Sequence, residues 1–236
     1  MPYLSIVIPA YYDSSRIIKT LERISGYLKS KKITAEIIVV DDGSADGTAD
    51  VVRRFSEKGV KLISNGANRG KGHAVREGML AAKGGWILFS DADLSTPIEE
   101  LDRFFEHADW DIIIASRALK GSRIIVHQPP HRELGGKLIN LFVRLLALPG
   151  IKDTQCGFKL FRKECAQKIF TRQTLHGWSF DAEVLFIGKK LGCRILELPV
   201  RWENDADTKV KPFRAGFRMI ADLVKIRLNG IKGLYN

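Results

Sequence analysis

The stretch Trp86–Ser95, WILFSDADLS, constrains the fold of this chain more than any other. An unbroken apolar run leads into two acids, Asp91 and Asp93, and this pattern is typical of a strand buried on both faces of a sheet. Because strand side chains alternate, acids two residues apart are expected on the same side, where they can share one divalent cation. For a lone Asp-x-Asp pattern, the alternative is a strand-end turn with solvated acids.

A second acid pair weakens that alternative. Asp41 and Asp42 directly follow another apolar stretch, Glu36–Val40, and the sequence DDGSADGT then predicts a turn. A helix is expected to start just after it, at Asp46 or Thr48. Two predicted strands therefore end in carboxylates.

The first half of the chain alternates between predicted strands and helices. Strands are expected at Leu4–Pro9, Glu36–Val40, Val60–Ser64, Trp86–Ser90 and Asp111–Ser116. Helices are expected from Ser14 or Ser15 to Leu28, over His73–Lys83 with Gly84 as its stop, and after a capping box of Thr96 and Glu99. This alternation predicts an α/β fold with a mostly parallel, Rossmann-like sheet flanked by helices, whose ligands bind at the carboxyl ends of strands.

The second half is less regular. After Arg117, a stretch with Gly and Pro predicts a mobile loop. Further helices are expected at Leu134–Leu148, which either belongs to the core or lies in a membrane surface, and at Ser179–Leu191. Strands are expected at Cys156–Phe161 and Arg194–Trp202.

The last segment, Val210–Leu228, predicts a basic amphipathic helix. One side would carry Lys211, Arg214, Arg218 and Lys225, and the other Phe213, Phe217, Ile220 and Val224. Such a helix either lies on an anionic membrane surface or packs on the domain with its basic face in solvent. We therefore divide the chain into a domain at residues 1–207 and a C-terminal helical segment at residues 208–236.

The net charge of +11 over 236 residues calls for an acidic partner, which could be nucleic acid, anionic lipid or a phosphorylated substrate. Residues 208–236 alone carry +6. The sequence has no run of 18 apolar residues and no basic leader, so membrane contact is expected to be peripheral. The three cysteines form no Cys-x-x-Cys, so neither a zinc site nor a disulfide framework is expected, and a reducing cytoplasm fits best.

Together the acid pairs predict a site for a nucleoside diphosphate. Asp42 can accept hydrogen bonds from a base or ribose, while Asp91 and Asp93 can hold Mg²⁺ or Mn²⁺ whose shell phosphates complete. The loop Asn68–Gly72 places glycines and two cations at a helix start, which favours a bound anion. Its spacing fits neither a Walker loop nor a dinucleotide fingerprint, which weakens kinase and dehydrogenase interpretations.

Four motifs occur in order along the first half: SIVIPAYYD, VVDDGSADGT, NRGKGHAVREGM and DADLS. In this order and spacing they resemble the donor half of glycosyltransferase family 2, whose nucleotide-sugar-binding fold is called GT-A. The later stretches DTQCGFKLF, GWSFDAEVLF and VKPFRAGFRMIADLVKIRL resemble the dolichyl-phosphate glucosyltransferases and, more distantly, the dolichyl-phosphate mannose synthases of that family.

The resemblance implies roles for individual residues. The nucleoside pocket would be lined by Pro9, Tyr11, Asp13, Val40 and Asp42, with Arg69 and Lys71 near it. The sugar diphosphate would be held through a metal by Asp91, Ala92 and Asp93, and phosphate would be contacted by Arg201 and Lys209. The acceptor phosphate would lie between Arg117 and Arg132, and Asp181 would be a functional acid that faces the sugar.

One residue departs from the pattern. Ser95 stands where the mannose synthases often have Gln as a third metal-associated residue. This difference implies either weaker metal binding or a water molecule in place of the side chain.

The resemblance implies an inverting, metal-dependent hexosyltransferase that acts on polyprenyl phosphate, and the basic helix places it peripherally on the cytoplasmic face of a membrane. The resemblance of the second half favours UDP-glucose as the donor over GDP-mannose. An ionised acceptor phosphate needs no strong base, whereas a hydroxyl acceptor would require Asp181 as general base.

Two alternatives stay open from the sequence. One is a soluble family member with a hydroxyl acceptor. The other is a non-catalytic protein that binds RNA or phosphoinositides through the basic helix. Nucleic acid is not favoured as a partner, because acids cluster at strand ends and no aromatic RNA-binding signature occurs.

Overall fold

The structure is a computed structural model that describes residues 2–126, 129–204 and 212–236. Within its helices, the side chains of residues 130–134, 137–139 and 212–217 are not described.

A seven-stranded sheet forms the centre of the molecule. In the described part of the chain the strands are β1 (Leu4–Ala10), β2 (Ala35–Asp41), β3 (Val60–Ser64), β4 (Trp86–Ser90), β5 (Ile112–Ser116), β6 (Arg123–Val126), β7 (Phe158–Arg162), β8 (Ile195–Pro199) and β9 (Arg201–Glu203). The large sheet has the order β3-β2-β1-β4-β7-β5-β8, and only β7 runs antiparallel to its neighbours. The predicted mostly parallel sheet is confirmed.

Helices cover both faces of this sheet. They are α1 (Ser14–Ser30), α2 (Thr48–Arg53), α3 (Lys71–Ala81), α4 (Leu101–Phe105), α5 (Pro130–Leu146), α6 (Lys163–Arg172), α7 (Phe180–Lys190) and α8 (Pro212–Ile231). Within β1, Ile6 and Ile8 pack in the core beneath α1, while Val7 packs in the core that contains α3, α6 and α7. Because both faces are covered, the central strands are mostly apolar on both sides, with buried exceptions at Ser5, Ser90 and Lys159.

Two predicted helix signals have other roles in the structure. Helix α3 ends at Ala81, before Gly84, and a Cβ at Gly84 would lie 2.5 Å from the backbone nitrogen of Ser5. Gly84 therefore permits close approach to β1 and does not cap the helix. The capping box is also wrong: α4 begins only at Leu101, and the Thr96 hydroxyl lies 3.4 Å from the sulfur of Cys156.

The stretch after Arg117 contains a strand where a mobile loop was expected. Strand β6 pairs in parallel with β9 in a separate two-stranded sheet. The single strand expected at Arg194–Trp202 is divided into β8 and β9, which belong to different sheets. Pro199 ends β8, where the missing N–H interrupts the ladder. Helix α6 was not predicted.

The expectation for the cysteines was wrong in part. Cys165 and Cys193 form a disulfide across 28 residues, and Cys156 is free and buried. The fold brings α6 next to the turn that follows α7, a proximity that sequence spacing does not reveal. The expectation of a reducing compartment rested on the absence of disulfides, and it loses that support.

The C-terminal helix α8 packs on the domain through a different side from the one expected. Met219, Leu223 and Ile226 are buried, whereas Ile220 and Val224 are exposed. Lys211 lies outside the described residues, as do the side chains of Phe213, Arg214 and Phe217. None of the helices in the described ranges is long and apolar enough to span a bilayer.

Candidate active site

The acid pair after β4 lies in a turn at the carboxyl edge of the sheet. Strand β4 ends at Ser90, and the Asp91 carbonyl accepts a hydrogen bond from the Leu94 amide at 3.3 Å. Leu94 has a φ of 48°, a rare conformation for a bulky residue. Asp91 and Asp93 therefore line the same small pocket. A turn brings them there, and not the alternation of strand side chains that was expected.

Gly157 makes room for the first of these acids. The Asp91 amide donates to the Gly157 carbonyl at 3.0 Å, and a Cβ at Gly157 would overlap the Asp91 carboxylate. The antiparallel strand β7 starts next to it, at Phe158. The position of Asp91 therefore depends on a residue without a side chain.

The two acids repel each other. Burial, followed by the charge of Asp91, raises the pKa of Asp93. A bound divalent cation would relieve this repulsion, and carboxylate oxygens are the ligands that Mg²⁺ and Mn²⁺ prefer. No cluster of three or more His, Cys, Asp or Glu ligands occurs among the described residues, so a cation here would take its other ligands from substrate or water. Within that limit, the residues present fit a divalent cation.

Lys71, the first residue of α3, reaches the same acids. Its Nζ lies 2.7 Å from Asp91 Oδ1 and 4.8 Å from the ring centroid of Trp178, a half-exposed side chain. Burial favours a lower pKa for Lys71, but the charges of Asp91 and Asp181 outweigh it and the net pKa is raised. Lys71 is therefore a protonated side chain whose position beside the acid pair is fixed by its ion pair with Asp91.

Asp181, at the start of α7, is buried and paired. Asp181 is 3% exposed, and its carboxylate accepts a hydrogen bond at 2.5 Å from Lys159, a fully buried residue of β7. Burial raises the pKa of Asp181, and the charges of Lys159 and Lys71 oppose that shift. Sequence reasoning missed Lys159, since a lysine that alternates with apolar residues in FKLF is typical of a solvent-facing position.

Asp42 holds the glycine-rich loop in place. Its carboxylate accepts hydrogen bonds from the backbone amides of Arg69 at 3.0 Å and Gly70 at 2.8 Å, and from the Asn65 side chain at 3.0 Å. These amides were expected to face a bound anion. They instead donate to the Asp42 carboxylate, which lies next to the start of α3. A hydrogen bond from a nucleoside to Asp42 stays a prediction.

The other residues expected around the nucleoside lie near the same strand ends. Pro9 and Val40 are register partners in β1 and β2, and Val40 is fully buried. Asp13 accepts hydrogen bonds from the Tyr11 amide and from Arg16, both at 2.9 Å. The rings of Tyr11 and Tyr12 stand edge to face, 4.7 Å apart, and both are partly exposed. Ala92 is buried, and its carbonyl accepts a hydrogen bond from Thr20.

Arg117 lines the pocket of the acid pair and is fixed by Asp153. Its Nε and Nη2 donate to the two Asp153 oxygens at 2.7 and 2.9 Å, and its guanidinium lies 5.4 Å from the Trp202 ring centroid. Gln155 and Ser95 line the same pocket. This bidentate ion pair stabilises the charged form of Arg117: burial alone would lower the pKa of Arg117, but the charge of Asp153 raises it.

The Arg117–Asp153 pair predicts a pH dependence of stability. Burial alone would raise the pKa of Asp153, but Arg117 outweighs it and lowers the pKa to about 2. A depressed carboxyl pKa contributes stability above the unfolded-state value, and this contribution is lost as pH falls from about 4 to about 2. We expect the pair to contribute about 2 kcal/mol at neutral pH.

Urea unfolding at pH 7 and pH 3 checks this expectation. Asp153→Asn should lower the free energy of unfolding at pH 7 and make it fall less between pH 7 and pH 3. Asp50→Asn, which removes an exposed ion pair with Arg53, should change neither quantity. Equal pH dependence in Asp153→Asn and the wild type would contradict it.

Of three further residues predicted to contact phosphate, one points away from this pocket, and the side chains of the other two lie outside the described part of the chain. Arg201 is paired with Glu203, and it alternates along β9 with Trp202, which lines the pocket, so the two side chains point to opposite faces. The backbone of Arg132 belongs to α5, but its side chain lies outside the described part. Lys209 lies outside the described residues altogether.

Comparison with protein-family models gives one match. Residues 5–170 match the model described as "Glycosyl transferase family 2". This region covers β1 to β7 and includes both acid pairs, Lys71 and Arg117.

Curated relatives match nearly the whole chain. "Dolichyl-phosphate beta-glucosyltransferase" of Dictyostelium discoideum is 35% identical over 249 residues, covering 99% of this chain and 76% of the relative. The protein of the same description in Drosophila melanogaster is also 35% identical, covering 98% of this chain and 76% of the relative.

A solved structure shares the fold. Glucosyl-3-phosphoglycerate synthase from Mycobacterium tuberculosis, crystallised with Mn²⁺ and UDP-glucose, is 17% identical with a TM-score of 0.64. The match covers 97% of this chain and 78% of that one.

Proposed function

The chain belongs to glycosyl transferase family 2, and we propose that it transfers glucose from UDP-glucose to dolichyl phosphate or a related polyprenyl phosphate. The observation that carries the proposal is the arrangement of Asp91, Asp93 and Lys71 at one edge of the sheet. Two carboxylates for a cation, with an ammonium 2.7 Å from one of them, suit a sugar diphosphate. Relatives 35% identical over nearly the whole chain are dolichyl-phosphate glucosyltransferases, which supports glucose and the lipid acceptor.

The donor would bind across the carboxyl ends of β1, β2 and β4. Pro9, Tyr11, Asp13, Val40 and Asp42 would line the nucleoside pocket, with Arg69 at its edge. Fold relatives were crystallised with UDP-glucose and with GDP-mannose, so the support for a glucose donor comes from the relatives described as dolichyl-phosphate glucosyltransferases.

Asp91 and Asp93 would hold Mg²⁺ or Mn²⁺, with Ala92 between them. Fold relatives were crystallised with Mn²⁺. When bound, the cation would supply positive charge that stabilises the departing diphosphate. Ser95, which donates its amide to Asp93 at 2.9 Å, supports that carboxylate from the backbone.

The acceptor phosphate would enter the pocket lined by Arg117, Gln155 and Trp202. A phosphate oxygen attacks the anomeric carbon as the bond from that carbon to the donor's diphosphate oxygen breaks, and configuration inverts. Lys71 lies beside the leaving group and stabilises its developing charge. Arg117, pre-oriented by Asp153, directs the acceptor, and Arg132, Arg201 and Lys209 remain proposals for further phosphate contacts.

Asp181 favours the phosphate acceptor over a hydroxyl. A general base must reach the proton that it removes, but Asp181 is buried and bonded to Lys159. An ionised phosphate needs no such base, because its second pKa lies near 6. Asp181→Asn is therefore expected to keep measurable activity, and complete loss in initial-rate assays with a correctly folded variant would favour a hydroxyl acceptor.

A panel of nucleotide sugars tests the proposed function. The enzyme is incubated with UDP-glucose, GDP-mannose or UDP-galactose, a short polyprenyl phosphate, and Mg²⁺, Mn²⁺ or chelator, and products are identified by mass. We expect a hexosyl polyprenyl phosphate from UDP-glucose only with metal. Product from GDP-mannose or UDP-galactose only, or none from any donor, would contradict the proposal.

We further propose that residues 208–236 form a segment that brings the domain at residues 1–207 to the cytoplasmic face of a membrane. An apolar ridge, defined as Leu141, Leu145, Ile220, Val224, Leu228 and Ile231, is exposed on the adjacent helices α5 and α8. Exposed Arg144, Arg218, Lys225 and Arg227 lie on the same two helices. Apolar side chains among basic ones suit an anionic lipid surface.

Two charges placed on the ridge should prevent membrane binding. Val224 and Leu228 are each about half exposed, so Val224→Glu/Leu228→Glu should leave the fold intact. We expect co-sedimentation with phosphatidylserine vesicles to fall at least about tenfold, since burying each aliphatic side chain is worth 1.5–3 kcal/mol.

Tyr3→Glu is the matched control, because Tyr3 is also about half exposed but packs beside Phe105, on the other face of the sheet from α8. Unchanged sedimentation of the ridge variant would refute the membrane surface without affecting the proposed transfer reaction.

A further inference from the structure

Two ammonium groups flank one aromatic ring beneath the proposed donor site. The Nζ atoms of Lys71 and Lys159 each lie 5.5 Å from the ring centroid of Phe89. Lys71 comes from α3 and Lys159 from β7, so the sheet and a helix each contribute one cation. Asp181, from α7, interacts with both.

Lys159 is an unusual residue for its place. It is fully buried in the central sheet, where its Nζ donates to Asp181 at 2.5 Å and to the Cys156 carbonyl at 2.7 Å. A buried ion pair seldom stabilises a fold more than apolar residues of similar size would. Packing alone therefore does not account for Lys159.

The two lysines and two aspartates form two separate ion pairs. Asp91 has Lys71 at 2.7 Å, and Asp181 has Lys159 at 2.5 Å. Arg117 also interacts with Asp181 but is held by the fork to Asp153, so without the Lys159 charge the cation drawn towards Asp181 would be Lys71, on the same Phe89 ring. Lys71 would then be attracted inward, away from Asp91 and the pocket.

We propose that Lys159 is a positioning residue for Lys71: by neutralising Asp181, it keeps the Lys71 ammonium directed at Asp91 and at an incoming diphosphate. This inference rests on the proposed function of the donor site. Lys159 itself lies beneath the site and touches neither donor nor acceptor.

Titration calorimetry with UDP in the presence of Mn²⁺ tests the role of Lys159. Lys159→Met leaves a buried carboxylate unpaired and can unfold the protein, so the principal variant is Lys159→Gln, which keeps a hydrogen-bond donor and removes the charge. We expect UDP affinity to fall about tenfold in Lys159→Gln, a typical coupling between neighbouring groups. Lys159→Arg, which keeps the charge, should retain most of the affinity.

A double-mutant cycle separates positioning from a general effect of charge. If Lys159 acts through Lys71, adding Lys159→Gln to Lys71→Met should cause no further loss of UDP affinity. Equal losses in both backgrounds would overturn the proposal.

Lys61→Met is the matched control. Lys61 pairs with Glu36, a buried carboxylate at the start of β2, away from the carboxyl edge. We expect this variant to lose stability and keep UDP affinity. If Lys159→Gln behaves in the same way, its role is structural and the inference fails, whereas a wild type that does not bind UDP would contradict the proposed function instead.

Discussion

Replacing Asp91 by asparagine is expected to lower glucose transfer by about a thousandfold, equivalent to about 4 kcal/mol of transition-state stabilisation. Asp91 is one of two carboxylates proposed to hold the cation, and a neutral amide is a much weaker ligand for Mg²⁺ or Mn²⁺. It is also the ion-pair partner of Lys71 at 2.7 Å. The loss should appear in initial rates measured with UDP-glucose and a short polyprenyl phosphate.

Stability should change little in this variant. The Asp91 side chain is 28% exposed, and Lys71, which loses this partner, is 16% exposed and keeps the counter-charge of Asp181, so no charge is left without water or a partner. Asp50→Asn, at an exposed acid on α2, is the control and should be indistinguishable from the wild type. Activity of Asp91→Asn within tenfold of the wild type would show that Asp91 is not the cation ligand.

The second large effect is expected at a residue with no side chain. Gly157→Ala should lower transfer about a hundredfold, the size of effect that a misplacement of about 1 Å can produce in an active site. A Cβ at this position would overlap the Asp91 carboxylate, which must then turn away from the pocket. Initial rates and the melting temperature are measured together, and only the rate should fall strongly.

A second glycine provides the comparison. Gly26 lies in α1, where a Cβ would meet nothing within 4 Å. Gly26→Ala should keep full activity and raise stability by up to about 1 kcal/mol, because alanine favours the helix. If Gly157→Ala retains full activity, the close approach of Gly157 does not determine where Asp91 lies.

Sequence patterns predicted the framework of the donor site. Continuous apolar runs identified β1, β2 and β4, and the acids that follow them were correctly expected at the carboxyl edge. This succeeded because burial on both faces leaves a clear one-dimensional signal, and because parallel strands bring their ends to one edge.

Contacts between elements distant in sequence could not be predicted in the same way. The buried ion pair of Lys159 could not be predicted, because its partner, Asp181, lies 22 residues away on a different element. Asp153 and Gly157 belong to a motif whose resemblance was noted, yet no pattern shows that one fixes Arg117 and the other makes room for Asp91. Periodicity indicates which face a residue occupies, but not which side chain it meets there.

Turn geometry was a further limit. The acids at 91 and 93 were assigned to one side of a strand, but they meet through a turn in which Leu94 has a positive φ. The amides of Arg69 and Gly70 were assigned to an anion, but the folded chain supplies that anion itself as Asp42. In both cases the local sequence allowed several backbone paths, and tertiary contacts selected one.

The most direct test of the account is diffraction from crystals grown with UDP-glucose and Mn²⁺, using the anomalous signal of manganese. We expect one anomalous peak at coordination distance from a carboxylate oxygen of Asp91 or Asp93 and from the diphosphate, with Lys71 beside it. Nucleotide bound at the site with no manganese peak, or with both carboxylates turned away from the diphosphate, would contradict it.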